Sequence, residues 1–138
     1  MNTMVKKTLL ERLAEGPVIG DGSYMYSLER RGYAMAGPWI PDAVVEHPSA
    51  VLGLHREFLR AGSDVIQAVT FYSTDDRLVG RSKISAADIN REAAALAKEV
   101  AAEGDALTLG GMSQCASYLD GAGKEMVQEE FRKQVKAG

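Results

Sequence analysis

The sequence predicts an α/β fold in which short parallel strands alternate with helices. Three segments carry this signal, because each has a helical stretch that stops at a glycine and then a short apolar run. They are AEGPVIGDG (14–22), RAGSDVIQAVTF (60–71) and AAEGDALTLGG (101–111). Glycine is expected just past a helix end, since the backbone there often turns left-handed. Strands that alternate with helices along the chain in this way are typical of parallel β/α architecture.

The apolar runs inside these segments are the predicted strands. VIG (18–20), VIQAVTF (65–71) and ALTL (106–109) are short and β-rich enough to be buried strands. Together with the helices that follow them, they make three βα units, and one extra helix precedes the first unit. A closed (β/α)8 barrel needs about 250 residues. With three of the eight βα units, the 138-residue chain is expected to hold a little under half of a barrel, or a small open sheet.

Helices are predicted between the runs from apolar residues that recur every three or four positions. A helix over 49–61 is expected to bury Val51, Leu54, Phe58 and Leu59 on one face. The most direct interpretation of each such stripe is core packing.

Two further helices follow the same pattern. Ser85 with Asp88 predicts a capping box at the start of the first. Its core stripe is predicted to be Ile89, Ala93, Leu96, Ala97 and Val100. The second helix is predicted over 124–136, and its stripe consists of Val127, Phe131 and Val135.

Composition narrows the function classes. The net charge is −3 and the two signs are interspersed, whereas nucleic-acid binding requires a concentrated basic face. The single cysteine, Cys115, cannot form an internal disulfide and suits a reducing compartment. The start of the chain has too short an apolar run for a signal peptide, and no later run approaches a membrane span. A cytoplasmic protein without nucleic-acid or membrane partners is expected.

Ligand sites in parallel β/α folds lie outside the carboxyl ends of the strands. After the first run, Asp21 stands between Gly20 and Gly22. The glycines would let a ligand approach the backbone, and the carboxylate could hold an ammonium group. The alternative is a turn in which Asp21 bonds its own backbone, and the spacing leaves both open.

Aromatic side chains follow the second run. Phe71 and Tyr72, together with Trp39 from the long loop at 32–48, could form a box for a quaternary ammonium group. From the pattern alone, core packing is the better interpretation of Phe71. His47 and His55 lack an evident third metal ligand, so we interpret them as structural.

Several stretches resemble one enzyme family. They are VIGDGSYMYSLERRGY, AGPWIPDAVVEHPSAV, LHREFLRAGSDVIQAVTFY and EGDALTLGGMSQCASYL. They are similar to the N-terminal part of betaine–homocysteine S-methyltransferases, a branch of the zinc-dependent homocysteine methyltransferase family. The resemblance implies a (β/α)8 TIM barrel of which residues 1–138 form the N-terminal part, with only the first three or so βα units present.

The resemblance also implies roles for individual residues. Asp21, with Gly22 beside it, would hold the amino-acid end of homocysteine. Trp39 and Tyr72, with Phe71 adjacent, would enclose the trimethylammonium group of betaine. The implied reaction moves a methyl group from betaine to homocysteine and gives methionine and dimethylglycine. One departure is Ser23, since the family usually continues DGG.

The implied cofactor is zinc, held in the family by three cysteine thiolates from later strands, two of them in a Gly-Gly-Cys-Cys motif. This sequence has one cysteine and no such motif. Cys115 stands where relatives carry a residue that is not a ligand. The zinc ligands are thus expected beyond this chain, its own residues include no metal ligand, and no catalytic residue is assigned.

Three interpretations of function remain open. The first is the N-terminal portion of a betaine–homocysteine methyltransferase, whose full-length form would be a homo-oligomer and whose isolated 138-residue chain would be inactive and poorly stable. The second is an inactive truncated relative that associates with a full-length or identical chain to cover its open sheet edges. The third is a related methyltransferase with another donor, such as S-methylmethionine.

Overall fold

Helices and a small parallel sheet alternate along the computed structural model, which describes residues 5–35 and 41–138. The elements in chain order are α1 (Leu9–Glu15), α2 (Tyr24–Arg30), α3 (Ala43–Glu46), α4 (Pro48–Ala61), β1 (Val65–Gln67), α5 (Asp75–Leu78), α6 (Ala86–Ala102), β2 (Leu107–Leu109), α7 (Ala116–Leu119) and α8 (Lys124–Ala137). No helix in these two ranges is long and apolar enough to cross a membrane.

The sheet consists of β1 and β2, which pair in parallel. Val65 lies opposite Leu107, and Gln67 lies opposite Leu109. The chain passes from one strand to the other through α6, which packs against both. The predicted α/β class and the strands in the second and third runs are confirmed. The regular strands are shorter than the predicted runs and end before the aromatic residues.

The first apolar run is not a strand, and this prediction was wrong. Residues 18–20 run beside β1, but one backbone hydrogen bond joins them, from the amide of Asp64 to the carbonyl of Ile19 (2.8 Å). Side chains make the other bonds: Asp64 Oδ2 accepts from the amide of Ile19 at 2.8 Å, and Asp21 Oδ2 accepts from the amide of Gln67 at 2.6 Å. Carboxylates take the place of main-chain carbonyls here, so no regular ladder forms.

The core lies between α4, α6 and the sheet. Every residue of the predicted α6 stripe is buried, as are Val51 and Leu54 of α4. Ser85 caps α6 by accepting from the amide of Asp88 at 3.1 Å. The Asp88 carboxylate accepts from the Ser85 hydroxyl at 2.7 Å and not from the Ser85 amide, so half of the predicted capping box forms. Both helices were therefore predicted correctly from hydrophobic periodicity, although Phe58 and Leu59 of the α4 face are only partly buried.

The buried face of α8 is polar, in contrast to the predicted apolar stripe. Val135 is 66% exposed, while Glu130 and Gln134 are buried against the rest of the chain. Gln134 explains this orientation, because its amide group bonds Ser113 in both directions: Oε1 accepts from the backbone N–H and Nε2 donates to the carbonyl. Hydrogen bonding, which hydrophobic periodicity does not register, decides which face of α8 is buried.

We predict a large difference between the same substitution in two helices. Val51→Ala, at a residue with 0% exposure, should lower the free energy of unfolding by about 2 kcal/mol, because it removes buried methyl groups and leaves a cavity. The control Val135→Ala, at a 66% exposed position, should change it by less than about 0.5 kcal/mol. Urea unfolding of both variants measures this, and similar losses would contradict the packing described.

Candidate functional site

A cleft of about 460 Å³ opens at the carboxyl ends of the two strands. Three segments form its wall: the start of α2, the residues after β1 and the residues after β2. The lining residues are Ser23, Tyr24, Met25, Gln67, Thr70, Phe71, Tyr72, Gly111, Met112, Ser113 and Gln114. The structure therefore brings together residues that follow all three predicted runs, at the end of the sheet where ligand sites of parallel folds lie.

Phe71 and Tyr72 both line this cleft, and neither is core. Phe71 is 37% exposed and Tyr72 is 40% exposed, which excludes the core-packing interpretation that the sequence pattern favoured. Tyr72 has a left-handed backbone with φ +58°, an uncommon conformation for a residue with a Cβ. Its amide donates to Ser113 Oγ at 2.5 Å, so a side chain from beyond β2 holds the backbone of Tyr72 in place.

A cation already lies over the Tyr72 ring. The guanidinium carbon of Arg77 is 4.8 Å from the ring centroid, within the range of cation–π attraction. Arg77 Nε also donates to the carbonyl of Gln114 at 2.6 Å, which fixes the guanidinium. The Tyr72 ring thus already interacts with one cation of the protein itself.

Asp21 lies beside the cleft and contacts two of its lining residues. Its Oδ2 accepts from the Tyr24 hydroxyl and from the amide of Gln67, each at 2.6 Å. The alternative of an isolated turn, in which Asp21 would bond its own backbone, is not the arrangement found. Asp21 instead joins the start of α2 to the end of β1.

Tyr24 and His55 belong to the same hydrogen-bond network, and neither was predicted from the sequence to lie at the site. The Tyr24 hydroxyl lies 2.7 Å from His55 Nδ1, and both side chains are fully buried. Burial lowers the pKa of His55 from 6.5 to about 4, so the imidazole is neutral at pH 7. The pKa of Tyr24 is raised, mainly by burial and also by the hydrogen bond to Asp21. One signal was available: His55 is a polar residue on the apolar stripe of α4.

Gly22 is needed for packing rather than for a turn. A Cβ at this position would lie 2.4 Å from Cε1 of Phe58. The Phe58 ring in turn packs edge-on against Tyr24, with 5.1 Å between centroids. The close approach thus lets α2 pack against α4 beside the cleft.

Trp39 and Cys115 are the remaining residues that the sequence brought into question. Trp39, predicted as a third ring of the aromatic box, lies outside the described residues. Cys115 is buried at the start of α7. Within residues 5–35 and 41–138, no group of three or more His, Cys, Asp or Glu side chains could hold a metal. With one cysteine in the whole sequence, these residues do not fit a zinc site made of three thiolates.

Comparison with known proteins confirms the resemblance. The family model for homocysteine S-methyltransferase matches residues 18–138. Betaine–homocysteine S-methyltransferase 1 of Xenopus tropicalis is 54% identical over 139 residues, covering 96% of this chain. The enzyme of the same name from Danio rerio is 54% identical over 134 residues, covering 94% of this chain. The chain spans about a third of the length of these relatives, 34% in both cases.

A solved structure shows the same fold. The homocysteine methyltransferase MmuM from Escherichia coli, in its metallated form, superposes with a TM-score of 0.76 at 22% identity. The match covers 93% of this chain and 52% of that one. The α/β fold of the chain is therefore that of a homocysteine methyltransferase, over about half of the MmuM chain.

We predict that His55 makes the protein less stable in mild acid. Its folded-state pKa of about 4 lies below its ordinary 6.5, so between these values the unfolded chain binds a proton that the folded chain does not. Stability should be fully present above pH 6.5 and should fall as the pH is lowered toward 4. By pH 5 the loss should reach about 2 kcal/mol, at 1.4 kcal/mol per pH unit.

The matched control for this prediction is His55→Asn, which keeps an N–H donor but does not titrate. Urea unfolding at pH 7 and pH 5 should show a steeper loss for the wild type than for this variant. Equal losses would show that the His55 imidazole takes up its proton in the folded state as readily as in water.

We also predict that Gly22→Ala destabilises the fold by about 1–3 kcal/mol, the usual cost of overpacking. The added methyl group would meet the Phe58 ring at 2.4 Å. Gly20→Ala is the control, because nothing lies within 4 Å of a Cβ there. It should leave the thermal midpoint unchanged or slightly raised, and a midpoint for Gly22→Ala no lower than that of Gly20→Ala would contradict the close approach.

Proposed function

Because the chain belongs to the homocysteine S-methyltransferase family, we propose that it carries the substrate-binding part of a betaine–homocysteine S-methyltransferase. The reaction moves a methyl group from the nitrogen of betaine to the sulfur of homocysteine and gives dimethylglycine and methionine. In this proposal residues 1–138 are the N-terminal part of a cytoplasmic (β/α)8 barrel. The observation that carries it is the cleft, which is lined by partly exposed aromatic rings and adjoined by Asp21 through its bonds to Tyr24 and Gln67.

The aromatic rings are proposed to bind betaine. A quaternary ammonium group has no N–H to donate, so it is recognised by aromatic faces, at about 0.5–2 kcal/mol per ring. Tyr72 and Phe71 line the cleft, and both rings are partly exposed, so their surfaces are open to a ligand. Trp39 is proposed as the third ring, on the resemblance alone.

Asp21 is proposed to hold the amino group of homocysteine, with Gly22 beside it. An ammonium group donates hydrogen bonds, and those to a carboxylate are strong because both partners are charged. Asp21 is anchored by the Gln67 amide and the Tyr24 hydroxyl, so it presents its charge from a fixed position. Fixed groups of this kind lower the entropy cost of aligning two substrates.

The contribution of this chain is thus recognition and alignment. Transfer requires the homocysteine sulfur to approach the methyl carbon in line, as the carbon–nitrogen bond of betaine breaks. We propose that the family's zinc would be held by residues outside this sequence, where it would favour the thiolate form of the sulfur. The isolated chain is accordingly proposed to be inactive, and association into a homo-oligomer is proposed for the full-length enzyme.

A second candidate is an inactive relative that works by association. Several large apolar side chains near the end of the chain are exposed, which favours a covering partner. They include Leu109, Tyr118, Leu119, Met126 and Val135. Under this candidate the partner is a full-length relative or another copy of the chain, and the wild type binds no betaine. S-methylmethionine stays the alternative donor to betaine.

We predict that the purified chain binds betaine and that Tyr72→Leu weakens this binding roughly 2- to 30-fold, the range for loss of one cation–π contact. Tyr118→Leu should bind like the wild type, because Tyr118 is exposed and is not part of the cleft lining. Isothermal titration measures the three dissociation constants.

The matched ligand control is 3,3-dimethylbutanoate, which has the shape of betaine and carries no positive charge. It should bind more weakly than betaine to the wild type, and Tyr72→Leu should reduce that difference. Absence of betaine binding to the wild type, or equal affinity for both ligands, would overturn the proposed betaine site. Displacement of betaine by S-methylmethionine at lower concentration would favour the alternative donor.

A further inference from the structure

The network around Tyr24 determines which oxygen of Asp21 can meet a ligand. Asp21 Oδ2 accepts from two donors, the Tyr24 hydroxyl and the Gln67 amide, both at 2.6 Å. Its other oxygen, Oδ1, accepts no hydrogen bond from the part of the chain that the structure describes. A carboxylate oxygen with two close donors is saturated, so a third donor is expected to go to Oδ1.

The donor and acceptor in each hydrogen bond of this network follow from what each group can accept. The Asp21 carboxylate can only accept, so the single hydroxyl proton of Tyr24 points to it. The Tyr24 oxygen must then accept from His55, which places the imidazole proton on Nδ1. The remaining nitrogen, Nε2, is buried and has no hydrogen-bond partner among the described residues. The buried imidazole therefore makes one hydrogen bond in this network, which it donates to Tyr24.

Aromatic packing fixes the same network sterically. The Tyr24 ring lies edge-on to the rings of His55 and Phe58, with centroids 4.9 and 5.1 Å apart. Tyr24 is 1% exposed, although it lines the cleft wall. Its hydroxyl is therefore held between two polar groups with little freedom to turn toward solvent.

We propose that Tyr24, supported by His55, is a positioning residue that holds Asp21 by Oδ2 and so presents Oδ1 to the ammonium group of an amino-acid substrate. This inference rests on the proposed function and assigns to Tyr24 and His55 a part in selecting the substrate. The α-amino group is the feature recognised.

Two ligands that differ only in the amino group test this proposal. L-Homocysteine carries it, and 4-sulfanylbutanoate has the same chain, thiol and carboxylate without it. The wild type should prefer homocysteine. Tyr24→Phe should weaken homocysteine binding roughly tenfold, as expected when a hydrogen bond to a charged group is lost, and should leave binding of 4-sulfanylbutanoate unchanged.

Substitutions at His55 give the matched control. His55→Asn keeps an N–H where Nδ1 donates and should retain the preference for homocysteine, whereas His55→Leu should lose part of it. Equal weakening of both ligands by Tyr24→Phe would reveal a purely structural role and overturn the proposal, as would no weakening of either. A wild type that binds neither ligand would instead refute the proposed function, and the inference would fall with it.

A measurement on the wild type does not depend on the folding of any variant. The ¹⁵N chemical shifts of the His55 imidazole at pH 7 should show a proton on Nδ1 and none on Nε2. The opposite tautomer would mean that His55 does not donate to Tyr24, and it would overturn the positioning role even if homocysteine binds.

Discussion

One carboxylate oxygen, Oδ2 of Asp21, joins three parts of this fold. It accepts the edge amide of β1 from Gln67 and the hydroxyl of Tyr24 in α2, and Tyr24 contacts His55 in α4. The segment before Asp21 is joined to the start of β1 by a single hydrogen bond between backbone groups, from the amide of Asp64 to the carbonyl of Ile19. Its alignment with the sheet therefore depends on charge-assisted bonds to carboxylates, which are stronger than bonds between neutral groups.

Two energetically costly features lie at or next to the cleft. His55 Nε2 is buried without a partner among the described residues, and a buried polar atom without a hydrogen bond costs free energy. Tyr72, which lines the cleft, has a left-handed backbone, at a cost of about 1–2 kcal/mol. Such features persist where the surrounding structure fixes them, and they concentrate at functional sites. The same bonds that align the chain thus also fix the groups available to a ligand.

Sequence patterns were sufficient where apolar packing decides the structure. They predicted α4 and α6 with their buried faces. The strand-end rule singled out Phe71 and Tyr72, which line the cleft, although the pattern favoured core packing for Phe71. They failed where a polar side chain decides. The run at 18–20 is not a strand because carboxylates replace backbone acceptors, and α8 buries Gln134 because Ser113 bonds it. Tyr24 and His55 were missed because their contact joins residues 31 positions apart, which no local pattern reports.

Under the proposed function, the cleft must tell two cations apart. Homocysteine carries an ammonium group that donates hydrogen bonds, and betaine carries a quaternary nitrogen that has none to donate. A carboxylate favours the first, because charge-assisted hydrogen bonds add to the attraction of opposite charges. Aromatic faces favour the second, because they attract charge without requiring a donor. Asp21 follows the first run and Tyr72 follows β1, so the carboxylate and the aromatic ring lie on different segments. The ammonium group of homocysteine is the better ligand for the carboxylate, and the quaternary nitrogen of betaine is the better ligand for the ring.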